Sequence, residues 1–289
     1  MCTLFAASIF EQPAEAVGTV LDAAELLLEQ PEVRVLAVNT LFLMLLCVVA
    51  LLFYVLKKTR ALTPIGTGLE SLTLMAIGCL SLAFIEIALQ PSFLLKTLCK
   101  VTLFVACIFL YQVTNQSVSM LRMFRLGHPR QLLWALGGGL LVYFFILCAF
   151  WLFRRFIDLS VISNSLVHDS SVNAGNFLGV SLYISFVNSL LEEIFFRGYA
   201  FLALRESVPE VYAGLLSAIA FSLYHFAAMA GWFSPWLFLL LLIGLFVSGL
   251  LFNWMDAKPG NIYNSWLVHM FANFAINTIG FFMFGMLQP

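Results

Sequence analysis

Charge is what this chain has least of. Asp, Glu, Lys and Arg together make up 10% of its 289 residues, where a soluble domain carries about 25%. So few charges cannot cover the surface of an ordinary water-exposed globule. The net charge of −1 also removes any electrostatic argument for nucleic acid as a partner. The six cysteines, Cys2, Cys47, Cys79, Cys99, Cys107 and Cys148, include no CxxC pair with metal spacing. They read as small buried apolar residues. The apolar stretch Leu4–Phe10 is short and lacks a basic flank, so no signal peptide is expected. No internal repeat is apparent.

Apolar length fills the space that charge leaves. The chain is 62% hydrophobic, its mean hydropathy is +1.01, and its apolar runs approach the roughly 20 residues that span a bilayer. Thirty Phe and six Trp suit lipid-facing surfaces and interfacial belts. The expected fold is all-α, a polytopic membrane helix bundle of about eight spans. These fall near 35–56, 71–89, 93–113, 132–153, 175–196, 211–230, 235–254 and 262–287. Residues 1–34 form an acidic N-terminal arm, with Glu11, Glu15, Asp22, Glu25, Glu29 and Glu32 against the single Arg34. Apolar residues at helical spacing between Pro13 and Pro31 predict an amphipathic helix there. Residues 35–155 read as scaffold or substrate-access helices, and 175–289 as the part that carries chemistry.

Basic residues give the orientation. Lys57, Lys58 and Arg60, then Arg122, Arg125 and Arg130, then Arg205, then Lys258 all follow odd-numbered spans, which places them on one side, taken as cytoplasmic. Arg154 and Arg155 oppose this arrangement, as do Lys96 and Lys100 near a short turn. Glu86, Lys96 and Lys100 sit near span ends and read as side chains that snorkel to the interface or, for the two lysines, contact lipid head groups.

Polar residues inside the late spans are the exception to all this. An ionisable group within a span costs at least a few kcal/mol, so several together call for a function. Glu192 and Glu193 lie in the fifth span, and Arg197 follows Glu193 by four residues, the favoured helical spacing for an ion pair. His225 is placed deep in the sixth span, with Phe221 one turn before it. His269 and Asn273 share one face of the eighth. Each motif alone is as well explained by an interfacial charge cluster or an interhelical hydrogen bond. His128 and His168 are placed in loops, so both membrane histidines belong to the constellation. Together the residues supply a carboxylate base for a water, imidazoles that hold a metal or polarise a carbonyl, and an amide for an oxyanion.

Glu-Glu-x-x-x-Arg, then Phe-x-x-x-His, then His-x-x-x-Asn, in this order on late membrane helices, resembles the CPBP intramembrane protease family. That family embraces CAAX-type prenyl endopeptidases and bacteriocin-processing or immunity (Abi) proteins. The likeness covers roughly 175–280, and the run Asn261–Trp266 into His269 also resembles the family's approach to its last motif. It implies a hydrolase acting on a membrane-associated peptide or a prenylated protein, in a bacterial cell membrane, with its site opening to the cytoplasm. Glu192 would activate water, His225 and His269 would complete the site, Asn273 would stabilise the oxyanion, and Glu193 and Arg197 would hold the register. A zinc ion on His225, His269 and Glu192 and a metal-free site are both compatible, because the chain has no His-Glu-x-x-His helix. A catalytically idle scaffold or immunity protein and a proton-coupled transporter stand as alternatives.

Overall fold

The computed structural model describes residues 27–59, 65–116 and 119–287. Most of the acidic arm, and Arg60, lie outside the described residues. Among the described residues nine helices follow one another: α1 Pro31–Lys58, α2 Ile65–Phe84, α3 Phe93–Thr114, α4 Pro129–Phe153, α5 Leu159–Ser170, α6 Phe177–Glu206, α7 Glu210–Ala228, α8 Pro235–Ala257 and α9 Tyr263–Met283. No strand occurs among the described residues. All but α5 are long and apolar enough to cross a membrane. The chain is an all-α helix bundle of the multi-pass membrane type. Pro31, Pro129 and Pro235 open α1, α4 and α8, where a missing N–H costs nothing.

Two elements differ from the sequence reading. The expected loop after the fourth span contains α5, capped by Asp158, whose carboxylate accepts from the Ser160 amide at 2.9 Å. His168 therefore sits in the last turn of a short helix rather than in a loop. The larger difference is α6. The charges Glu192, Glu193 and Arg197 suggest a span ending at Phe196, yet the helix runs ten residues further. Every residue from Phe195 to Leu204 is buried. A stretch buried all round is central, and the second half of α6 is an axis against which α2, α3, α7 and α8 pack.

Aromatic rings hold that axis. Phe195 stacks on Phe104 of α3 at 3.8 Å, Phe196 meets Phe221 of α7 edge-on, and the Tyr199 hydroxyl donates to the Ser71 carbonyl of α2 at 2.8 Å. Elsewhere small residues bring helices close, as membrane packing favours. A Cβ on Gly249 of α8 would stand 3.0 Å from the Ala218 Cα of α7.

Basic residues read as interfacial markers are partly drawn inward. Lys57 pairs with the fully buried Glu70, which also accepts from Thr114 Oγ1 at 2.5 Å and Asn115 Nδ2 at 2.8 Å. This knot joins the ends of α1, α2 and α3. Lys96 pairs with Glu86 at 2.6 Å, so those two neutralise each other instead of snorkelling separately.

Candidate active site

Glu192 and Glu193 lie near the middle of α6, not at a span end. The short α-helical stretch Ser189–Glu193 is flanked on both sides by wider π-helical winding, Tyr183–Asn188 and Ile194–Ala203. Such winding is frequent at functional sites. Here, polar side chains of neighbouring helices reach carbonyls of these wide turns. Asn273 Nδ2 donates to the Ile184 carbonyl at 3.1 Å, and Ser217 Oγ donates to that of Phe196 at 2.7 Å.

The two carboxylates face different partners. Glu193 Oε1 lies 2.7 Å from His269 Nδ1. Glu193 Oε2 lies 3.2 Å from Arg197 Nε, an ionic contact whose angle falls short of a hydrogen bond. Arg197 is fully buried, and no guanidinium nitrogen has a hydrogen-bond partner among the described residues. Its cation instead lies over the rings of Phe221 and Phe252, at 4.1 and 4.8 Å.

Glu192 turns toward the histidines. Its Oε2 lies 3.8 Å from His225 Nε2 and 3.7 Å from His269 Nε2. Each imidazole is anchored through its other nitrogen, His225 Nδ1 to the Phe221 carbonyl at 2.7 Å and His269 Nδ1 to Glu193. Acceptors at both Nδ1 atoms place a proton on each, and in the Nδ1–H tautomer each ring presents a bare Nε2. In that tautomer three acceptor atoms converge at separations too long for direct hydrogen bonds. Such a group is satisfied by a donor held among them. Phe221 packs edge-on against both imidazoles, at 4.7 and 5.9 Å between ring centres, and Phe252 stacks on His269 at 5.6 Å.

The constellation read from sequence is therefore gathered in one place, with Asn273 one turn beyond His269 and its amide partly engaged by Ile184. His225 is not deep in its helix, however, but three residues from the end of α7. Two contributors were missed. Asn188 Nδ2 donates to Glu192 Oε1 at 2.9 Å, and its i−4 spacing from Glu192 was the available signal. Lys100 of α3 lies 3.2 Å from Glu192 Oε1 and donates to Asn188 Oδ1 at 2.7 Å. It does not snorkel; it brings a side chain of the first half into the constellation. Its signal was a charge eight residues into an apolar span. Behind the site, buried Asp256 accepts from the Ser265 hydroxyl at 2.5 Å and amide at 3.2 Å, a second buried acid that the sequence reading passed over.

Residues 174–275 match the family model described as Type II CAAX prenyl endopeptidase Rce1-like. The matched segment holds every motif residue named above, and it bears out the resemblance to the CPBP family. No curated protein and no solved structure matches the chain.

Proposed function

We propose that this protein is an intramembrane endopeptidase in which Glu192 activates a water to hydrolyse a peptide bond of a membrane-associated or prenylated, CAAX-type substrate. The observation that carries the proposal is the convergence of Glu192 Oε2 with the Nε2 atoms of His225 and His269, each ring anchored through its Nδ1. A water fits there as the missing donor, one proton on the carboxylate and one on an imidazole. Glu192 takes a proton as the water oxygen attacks the carbonyl carbon. The free hydrogen of the Asn273 amide then meets the oxyanion. As the C–N bond breaks, Glu192 returns the proton to the leaving amine. One imidazole accepts the water's second hydrogen, and Glu193 with Arg197 fixes the His269 ring.

Zinc is the natural ion for two imidazoles and a carboxylate, but the residues as arranged do not fit it. Ligand atoms about a tetrahedral zinc at about 2.1 Å stand roughly 3.4 Å apart, closer than the 3.7 and 3.8 Å seen here. Among the described residues no trio of His, Cys, Asp or Glu is gathered closely enough for a metal ion. The Lys100 ammonium already balances Glu192, and a divalent ion would crowd a second cation onto one carboxylate. The proposed chemistry is therefore metal-free.

Helices over 35–155 act in this reading as scaffold and access route, with Lys100 as their contribution to the site. The side bearing Lys57, Arg122, Arg205 and Lys258 is taken as cytoplasmic by charge bias, and His225 lies toward the end of α7 remote from Arg205 and Glu210. The test is cleavage of membrane-tethered and farnesylated peptides by purified protein in nanodiscs, wild type beside Glu192→Gln, each with and without a chelator. Wild-type cleavage that persists in chelator, and that falls by about 10²–10⁴ in the variant, is the expected result. Full cleavage by Glu192→Gln removes the residue from its role, and loss in chelator overturns the metal-free chemistry. Solute or proton flux without cleavage would point to a transporter instead.

A further inference from the structure

Away from the site, a cleft of about 250 Å³ opens where the segment after α3 meets the end of α6 and the connection from α8 to α9. Its floor is apolar, with Met123 and Leu202 buried. Its rim carries Arg122, Arg125 and Arg205 against the single acid Glu206. Arg205 donates to the Ala257 carbonyl at 2.7 Å and lies 3.4 Å from Glu210. Arg122 and Arg125 are exposed and form no ion pair among the described residues.

The segment that supplies those two arginines has a second property. In the turn Met120–Phe124 and just beyond it, exposed apolar side chains alternate with the arginines: Leu121 is 76% and Leu126 75% exposed. Both lie at the end of a span, beside helices that cross the membrane. Leucines that point outward at that level enter the acyl region, and arginines interleaved with them meet the phosphates just above it.

We infer that this cleft binds the phosphate-bearing headgroup of an anionic lipid, with its apolar floor taking the glycerol and upper acyl atoms. A cleft of about 250 Å³ has room for a phosphate and its glycerol. Basic pockets at the ends of membrane helices take such headgroups. The exposed leucines favour a lipid over free phosphate, which would have no use for them. The inference is independent of the proteolytic reading.

The test is native mass spectrometry of the full-length protein titrated with phosphatidylglycerol, phosphatidylcholine or inorganic phosphate. Wild type is compared with Arg122→Gln/Arg125→Gln and with Arg154→Gln/Arg155→Gln, a basic pair outside the cleft. Both pairs lie outside the buried core, so circular dichroism of the variants should match wild type. Phosphatidylglycerol is expected to bind wild type at least tenfold more tightly than phosphatidylcholine. At about fivefold per basic residue at an anionic surface, the cleft variant should lose about 25-fold and the control pair less than threefold. Equal binding of the two lipids, an unchanged cleft variant, or an equal loss in the control pair overturns the site. Tight competition by inorganic phosphate overturns the lipid assignment.

Discussion

Arg197→Met tests the interior of the site without any knowledge of the substrate. The substitution keeps much of the side chain's length and removes its cation. Glu193 is then left fully buried with a single donor, His269 Nδ1 at 2.7 Å. Removing one partner of a buried pair costs about 3–5 kcal/mol. Loss of a desolvated cation over two aromatic rings adds about 2 kcal/mol, and the methionine thioether against those rings returns about 1 kcal/mol. Release of the guanidinium from burial offsets part of the rest, so a net loss of about 3–4 kcal/mol is expected. Glu193→Gln, which strands the arginine instead, should cost a similar amount. The double variant Glu193→Gln/Arg197→Met leaves no unpaired charge there, and the Gln carbonyl still accepts from His269. It should therefore lie within about 1–2 kcal/mol of wild type, far less than the sum of the single losses. Reversible unfolding in mixed micelles, followed by tryptophan fluorescence, measures all four corners of the cycle. Single variants as stable as wild type, or a double loss equal to the sum, would refute the claim that Glu193 and Arg197 depend on one another.

Lys100→Met removes the nearest cation from Glu192 and should lower turnover of a cleaved peptide at neutral pH at least tenfold; unchanged turnover would make Lys100 a bystander. Gly280→Ala places a methyl against the ring of Phe177, which is too rigid to yield by side-chain motion alone, and should cost about 1–3 kcal/mol of unfolding free energy. An unshifted unfolding curve would mean that α6 and α9 separate there more freely than their packing indicates.

The span count and the polar constellation were legible because both rest on strong local signals. Apolar length marks a span, and an ionisable residue inside one marks an expense that something must justify. The end of α6 was not legible, since Arg197 looks like an interfacial residue until Glu193, Phe221 and Phe252 are seen around it. The same inference misjudged Lys100 and Lys57. A lysine near a span end has two physical solutions, reaching for water or meeting a buried acid, and sequence distance to the acid does not choose between them. Glu70 is 13 residues from Lys57 and Glu192 is 92 from Lys100, so only helix packing brings either pair together. What the fold adds to the motifs is thus direction. Both histidines were visible as residues, but the anchoring of their Nδ1 atoms, by a carbonyl of α7 and by Glu193 of α6, turns both Nε2 atoms toward Glu192. That orientation, rather than the presence of the residues, makes a held water the simplest way to satisfy the site.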